Sequence, residues 1–255
     1  MVKGGWIGMI TGLTVGISLP LGATVQNPAL IRELDTNIQE LLTTRRCDRC
    51  NLTTANLSRR PLERVSLRTS VLNGANLSFA NLSFANLRGS SLNGANLTAA
   101  HLRSTHLTGS SLQRAILDNA TLFAAQLQGT DLSHSQLQRT DLINADLTAA
   151  DLNRATMTEG HAQGAIFAGV DFTWANLQNT DFQGANFTAA KFDHTDLRGA
   201  NLTDTDLTDA NFRNALLSGA DFSNAILCRT VMPDGNIVGA DCEDASNDDM
   251  PPVTQ

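Results

Sequence analysis

Four cysteines, five histidines and an evenly spaced set of aspartates are the side chains of this sequence that chemistry would use. Cys47 and Cys50 flank Asp48-Arg49, and such a pair is redox-active where nearby cations lower a thiol pKa. Arg45, Arg46 and Arg49 supply cations, but the pair follows a helix-forming stretch, and the dipole at that end opposes a thiolate. A structural disulfide is therefore expected at Cys47–Cys50. Cys228 and Cys242 bracket the turn signal Met232-Pro233-Asp234-Gly235. A second bridge is expected there, closing a loop of about fifteen residues and contributing about 3 kcal/mol in the chain-entropy view. The two pairs stand at opposite ends of the repeated part of the chain, so a four-cysteine zinc site is not expected.

The aspartates Asp131, Asp151 and Asp171 recur every twenty residues, with Lys191 in the next place. If coils stack at that period, the carboxylates lie about 4.8 Å apart. Carboxylate oxygens at that spacing suit a hard cation such as Ca²⁺. Lys191, solvent and turn hydrogen bonds also satisfy them, and plain surface is the expected state. Arg68 and Arg88 recur at the same period and, with the three aspartates, mark a candidate interaction surface. His101 and His106 fall on outward positions of adjacent faces, and His134, His161 and His194 are scattered, as surface imidazoles are. No Ser or Cys is placed with a base, and no glycine-rich phosphate loop precedes a helix. No enzyme, cofactor or metal site is expected.

What positions these residues is a repeat. Every fifth residue from Leu52 to Met232 is apolar, and the position two before it is small from Cys50 to Thr230, with Arg60 the exception. In an extended chain alternate side chains share a face, so these two point inward together and the residue between them points out. The remaining two residues turn a corner, and Asn, Asp, Ser, Thr and Gly crowd the outward and corner positions. Spacing of two then three traces no 3.6-residue stripe, so a helix is excluded. Like residues recur at twenty, giving four repeats per coil and a square cross-section. About nine coils make a rod on the order of 43 Å long.

Around the repeat, residues 1–23 read as a signal peptide, with Lys3, an apolar run from Trp6 to Leu21 and small residues before a cleavage site. Residues 24–46 read as a capping helix: Asn27-Pro28 opens it, and Leu30, Ile31, Leu34, Ile38, Leu41 and Leu42 line one side. An open coil end exposes unpaired backbone and needs such a cap. Residues 47–232 form the solenoid. Residues 233–255 hold the C-terminal stapled segment and an acidic tail that composition makes disordered. Arg60-Pro61 predicts a slight bulge with a charge at an inward place. Gly160 and Ala162 leave space that Phe182, one coil on, is placed to fill.

Charge is segregated. Residues 45–117 hold ten arginines against Asp48 and Glu63, while residues 118–249 hold six basic residues against twenty acids. Such a rod is a charge dipole able to steer a partner. Nucleic acid is not expected, because the basic half lacks interleaved aromatics apart from Phe79 and Phe84.

Runs such as Ala75-Asn76-Leu77-Ser78-Phe79 and Ala80-Asn81-Leu82-Ser83-Phe84 resemble the pentapeptide-repeat family, whose consensus is Ala-(Asp/Asn)-Leu-x-x. The resemblance implies an all-β solenoid, a right-handed quadrilateral β-helix. In the order of leader, short helix, cysteine pair, repeats and C-terminal cysteine segment, the chain is similar to exported members of cyanobacterial and thylakoid-lumen type. That likeness implies an exported, non-enzymatic scaffold in a periplasm or thylakoid lumen, with a protein partner and no membrane contact once the leader is removed; the solenoid itself is expected to be a monomer. Cytoplasmic members that mimic DNA and bind topoisomerases imply a second role, open to this chain if the leader is no export signal.

Overall fold

The computed structural model describes residues 28–240 and Cys242. The expected leader, Asn27 and the acidic tail from Glu243 lie outside the described residues. Helix α1 spans Pro28–Thr44, and two short strands, β1 (Thr230–Val231) and β2 (Ile237–Val238), form a terminal hairpin. Between them the chain coils with a five-residue beat.

In each repeat three residues run extended and two turn. Parallel bridges join each outward residue to the one twenty further on, in a series running from Arg46↔Ser66 to Asn211↔Val231. Three backbone hydrogen bonds carry each step, one of them from the corner, where the Thr54 N–H donates to Asn73 O at 2.9 Å. The Leu52 N–H donates to Val71 O at 2.7 Å, and the Val71 N–H donates to Cys50 O at 2.9 Å. Corners close on themselves, as where the Ala55 N–H donates to Leu52 O at 3.0 Å. Two residues past the central leucine the backbone takes a positive φ at every repeat from Arg49 to Arg229. Glycine adopts this freely. Phe79 (φ 59°), Phe84 (60°) and Trp174 (63°) adopt it too, at a cost of about 1–2 kcal/mol each that the hydrogen bonds on either side offset.

Inside, the central residues from Leu52 to Phe212 are fully buried columns. The small residues two before them are buried as well, and the hydroxylated ones find carbonyls. Thr105 Oγ1 donates to Leu82 O at 2.8 Å and Thr130 Oγ1 to Leu107 O at 2.9 Å, each reaching back into the preceding coil. From Phe167 onward the core turns aromatic. Phe172 stacks on Phe192 (5.2 Å, 6°) and Phe192 on Phe212 (4.5 Å, 0°). Phe182, beyond small Ala162, is fully buried and packs edge-on against Phe167 and Phe187 at 5.7 and 5.1 Å.

The ends depart from the repeat. At the N-terminal end α1 buries Leu41 and packs Leu34, Ile38 and Leu42 on the core. Leu30 and Ile31, expected on the same side, stand 55% and 40% exposed; they line an open cleft between the start of the helix and Asn51, Thr53 and Thr54 of the first coil. Arg60 corrects a second expectation: it is exposed, because an unpartnered guanidinium is costly to bury. The Leu62 N–H donates to Arg60 O at 3.1 Å instead of crossing to the next coil, a three-residue turn that makes the expected bulge. At the other end Leu217 and Phe222, like Val238 of the hairpin, are only partly buried against the core. Among the described residues no full coil follows to cover them.

Candidate interaction surface

The outward residues stand in four columns, one per face, and their polar side chains do a local job that composition alone hides. Where the outward residue is Asn or Asp, its side-chain oxygen commonly accepts the backbone N–H two residues later. Asn76 takes Ser78 N at 3.1 Å, Asp146 takes Thr148 N at 3.0 Å and Asp171 takes Thr173 N at 2.9 Å. The side chain thus holds the corner, as Asx turns do.

Asp131, Asp151 and Asp171 form one bridged column that continues to Lys191. Each spends one oxygen on its own corner, accepting from Ser133, Asn153 and Thr173 respectively. Gln113 Nε2 donates to Asp131 Oδ2 at 2.5 Å, and Lys191 Nζ sits 3.8 Å from Asp171 Oδ2. Burial pushes the Asp131 carboxyl up, but hydrogen bonds from Gln113 and Ser133 outweigh it and hold the group below the usual carboxylate range. Among the described residues, the one cluster whose ligand atoms converge within 4.8 Å is Glu40 with Cys47 and Cys50, and both of those thiols are committed to a disulfide.

Arg68 and Arg88 share a corner column that borders the aspartate face. The Arg68 N–H donates to Asp48 Oδ1 at 3.0 Å. Burial raises the Asp48 pKa, yet Ser66, that N–H and the charges of Arg46 and Arg68 together leave it lowered. Arg88 Nη2 reaches upward, 3.1 Å from His106 Nδ1 and 3.2 Å from Gln126 Oε1. Two coils beyond Arg88 the column holds Gln128, and the aspartate ladder begins only there. The structure therefore keeps the basic pair and the acidic ladder as neighbouring patches along the rod rather than as one site.

Cys47 and Cys50 are joined, with Cα atoms 5.4 Å apart, at the junction of α1 and the first coil. Cys228 and Cys242 are not joined: Cys228 is a buried free thiol and Cys242 an exposed one. The expected second bridge is not formed in the structure, where Cys242 Sγ donates to Gly239 O at 2.9 Å. The two sulfurs are nonetheless neighbours. A hydrogen bond with Cys242, then burial, push the Cys228 thiol up, although Arg229 works the other way.

Aromatic side chains on the outside are what residue types alone left unread. Arg59 lies 4.7 Å over the Phe79 ring, Arg64 5.5 Å over Phe84, and Arg103 4.8 Å over Phe123. Trp174 stacks on His194 at 4.0 Å and 5°. The signal was in the sequence: each pair is separated by twenty residues, one coil.

No described helix is long and apolar enough to cross a membrane. No curated protein matches the chain. Among solved structures, HetL, a pentapeptide repeat protein involved in heterocyst differentiation regulation from Nostoc sp. strain PCC 7120, shares 25% identity, with 79% of this chain and 98% of that one covered and a TM-score of 0.45. A trypsin-treated variant of QnrB1, a plasmid-mediated fluoroquinolone resistance protein, shares 19% identity over 66% of this chain and 88% of that one, at a TM-score of 0.51. A pentapeptide repeat protein of the Arabidopsis thaliana thylakoid lumen shares 25% identity over 41% of this chain and 66% of that one, at a TM-score of 0.20. The likeness to QnrB1 shows the fold, and with the repeats it implies a right-handed quadrilateral β-helix. The family description for pentapeptide repeats matches residues 50–94, 80–119, 120–158, 165–204 and 205–245, in eight copies; the chain belongs to the pentapeptide repeat family.

Proposed function

We propose that this protein is a non-enzymatic scaffold that binds another protein along its flat faces, and that it works after export to a periplasm or thylakoid lumen. The observation that carries the reading is the surface itself. Hydrogen-bonded coils hold the outward residues in four columns, so recognition groups are displayed at fixed intervals on a backbone that needs no further ordering on binding. Export is supported by the apolar leader read in the sequence and by the Cys47–Cys50 disulfide beside the cap. In an oxidising compartment the neighbouring Cys228 and Cys242 thiols would close the second bridge. Residues 1–23 are then the leader, residues 24–46 the cap and residues 233–255 the C-terminal closure.

A second reading, a DNA-like binder of a topoisomerase, draws on the outward carboxylates repeated coil after coil at Asp131, Asp151 and Asp171. It requires the protein to stay in the cytoplasm. Fractionation of cells, with mass analysis of the native N-terminus and the thiols, separates the two. A cleaved N-terminus, no alkylatable thiol without reductant, and cross-linked partners from the exported fraction support the scaffold. An intact leader with a cytosolic topoisomerase in the cross-links overturns it.

A further inference from the structure

The acidic half pairs Arg139, Lys191, Arg198 and Arg229 with its own carboxylates, but the basic half is left nearly without counter-charges. Among the described residues with arginines in the basic half, the single ion pair is Arg64 with its chain neighbour Glu63, at 3.8 Å. Arg59 and Arg103 are instead laid over phenylalanine rings, and Arg60 is turned outward. Toward the other end Asp181, Asp204 and Asp221 accept hydrogen bonds from amides and a hydroxyl, and none of them is in an ion pair among the described residues. All of these groups lie on one face or its edges. Its outward column runs Pro61, Asn81, His101, Thr121, Asp141, His161, Asp181, Asn201, Asp221. One edge carries Arg59 and Phe79, the other carries Arg64, Phe84, Arg103 and, far along, Asp204.

A face that is basic and aromatic at one end and acidic at the other is complementary to itself when a copy is turned end for end. We propose that two copies of this chain associate through this face, antiparallel, about a two-fold axis near its middle coils. Arg64 of each copy then approaches Asp204 of the other along the edge they share, and Arg59 and Arg60 approach Asp221. The His101 and Arg103 coil approaches that of Asp181, while Asp141 faces its own counterpart at the axis with Arg139 beside it. Two-fold pairing of one patch with itself is the commonest arrangement of soluble oligomers. Size allows it. A face about 43 Å long and roughly 15 Å wide covers about 650 Å² on each copy, roughly 1,300 Å² in all, within the range of stable specific interfaces. The stacked rings restrain the guanidiniums before contact, which lowers the ordering cost of association. Phe79 and Phe84, 49% and 43% exposed, would lose water on docking. This inference departs from the monomer expected from the sequence, and the test below decides between them; it does not depend on the scaffold reading.

The test is sedimentation of the oxidised, full chain at rising salt, with two charge-reversed variants. Arg59→Glu/Arg64→Glu is acidic at both ends of the face, and Asp204→Arg/Asp221→Arg is basic at both. The wild type should sediment as a dimer at low salt and dissociate as salt screens the contacts. Each variant alone should be monomeric with an unchanged circular dichroism spectrum, and an equal mixture of the two should recover the dimer mass. Recovery in the mixture excludes misfolding as the cause of the loss. A wild type that is monomeric at every salt concentration overturns the proposal, as does a dimer that both variants keep, which would place the contact on another face or at the coil ends. Variants that stay monomeric when mixed also overturn it.

Discussion

The N-terminal and C-terminal halves of this rod share one skeleton and differ in nearly everything attached to it. Leu77 N to Asn96 O and Phe187 N to Asp206 O are the same hydrogen bond, each at 2.7 Å. Around the first the inner columns are leucine and the outside is basic. Around the second the inner columns are rich in phenylalanine and the outside is acidic. The comparison teaches that backbone, core and surface vary separately in this fold. Inward side chains pack on one another, and outward ones reach their own and neighbouring outward columns, so a change in one layer is confined to that layer and the adjacent coils.

The deepest break in that separation is a charge placed inside. Leu97→Asp puts an unpaired carboxylate in a fully buried column and should cost several kcal/mol. Asn96→Asp, one residue away but outward, should change stability by less than about 0.5 kcal/mol. Urea unfolding of the two compares them directly, and equal midpoints would mean that the inward and outward columns had been misassigned.

The aromatic half is tested by Phe192→Ala, which removes the middle ring of the stack with Phe172 and Phe212. A loss of about 3–5 kcal/mol is expected, with opening confined to coils near the C-terminal end, as hydrogen exchange would show. Spread of the opening to the leucine coils would contradict the independence of the halves.

A smaller effect is expected from Thr140→Val. Its hydroxyl donates to Leu117 O in the preceding coil at 3.0 Å, and the change keeps the shape while removing the donor. About 1 kcal/mol should be lost in thermal unfolding, because Leu117 O keeps the Ala120 N–H as a partner. No loss would show that such hydroxyls merely occupy space.

Acid should act mainly on the C-terminal half, and gently. Burial raises the Asp146 carboxyl, but Thr148 and Gln128 hold it below its ordinary value; for Asp196, Arg198 is the main cause of the same lowering. A carboxyl whose folded pKa is lowered contributes stability that is complete above its unfolded value, about pH 4, and fades as pH falls through the folded value. Unfolding midpoints should be flat from neutral pH down to that region and then decline. Asp146→Asn combined with Asp131→Asn should flatten the decline, and an unchanged acid limb would remove these corners as its source.

Much of this was open to reading because a five-residue repeat constrains itself. Leu52 to Met232 and Ala55 to Ala225 had to face inward, since spacing of two then three leaves no other way to bury both sets. Recurrence at twenty placed Asp131, Asp151 and Asp171 in one column, and the bridges show it. The same arithmetic reaches Arg59 with Phe79 and Trp174 with His194, yet residue type alone does not show that a guanidinium lies flat on a ring. Other outcomes needed the tertiary structure because they depend on neighbours supplied by another coil, or on the lack of one. Phe79, Phe84 and Trp174 hold a positive φ against their own preference because the coil imposes it. Arg60 turns outward because no counter-charge waits inside. Leu30, Ile31, Leu217 and Phe222 are left partly open because they lie where the stack of coils stops. Local spacing determined which residues face in and which face out; the presence or absence of the next coil decided how each end is finished, because burial there is contributed by atoms far away in the chain.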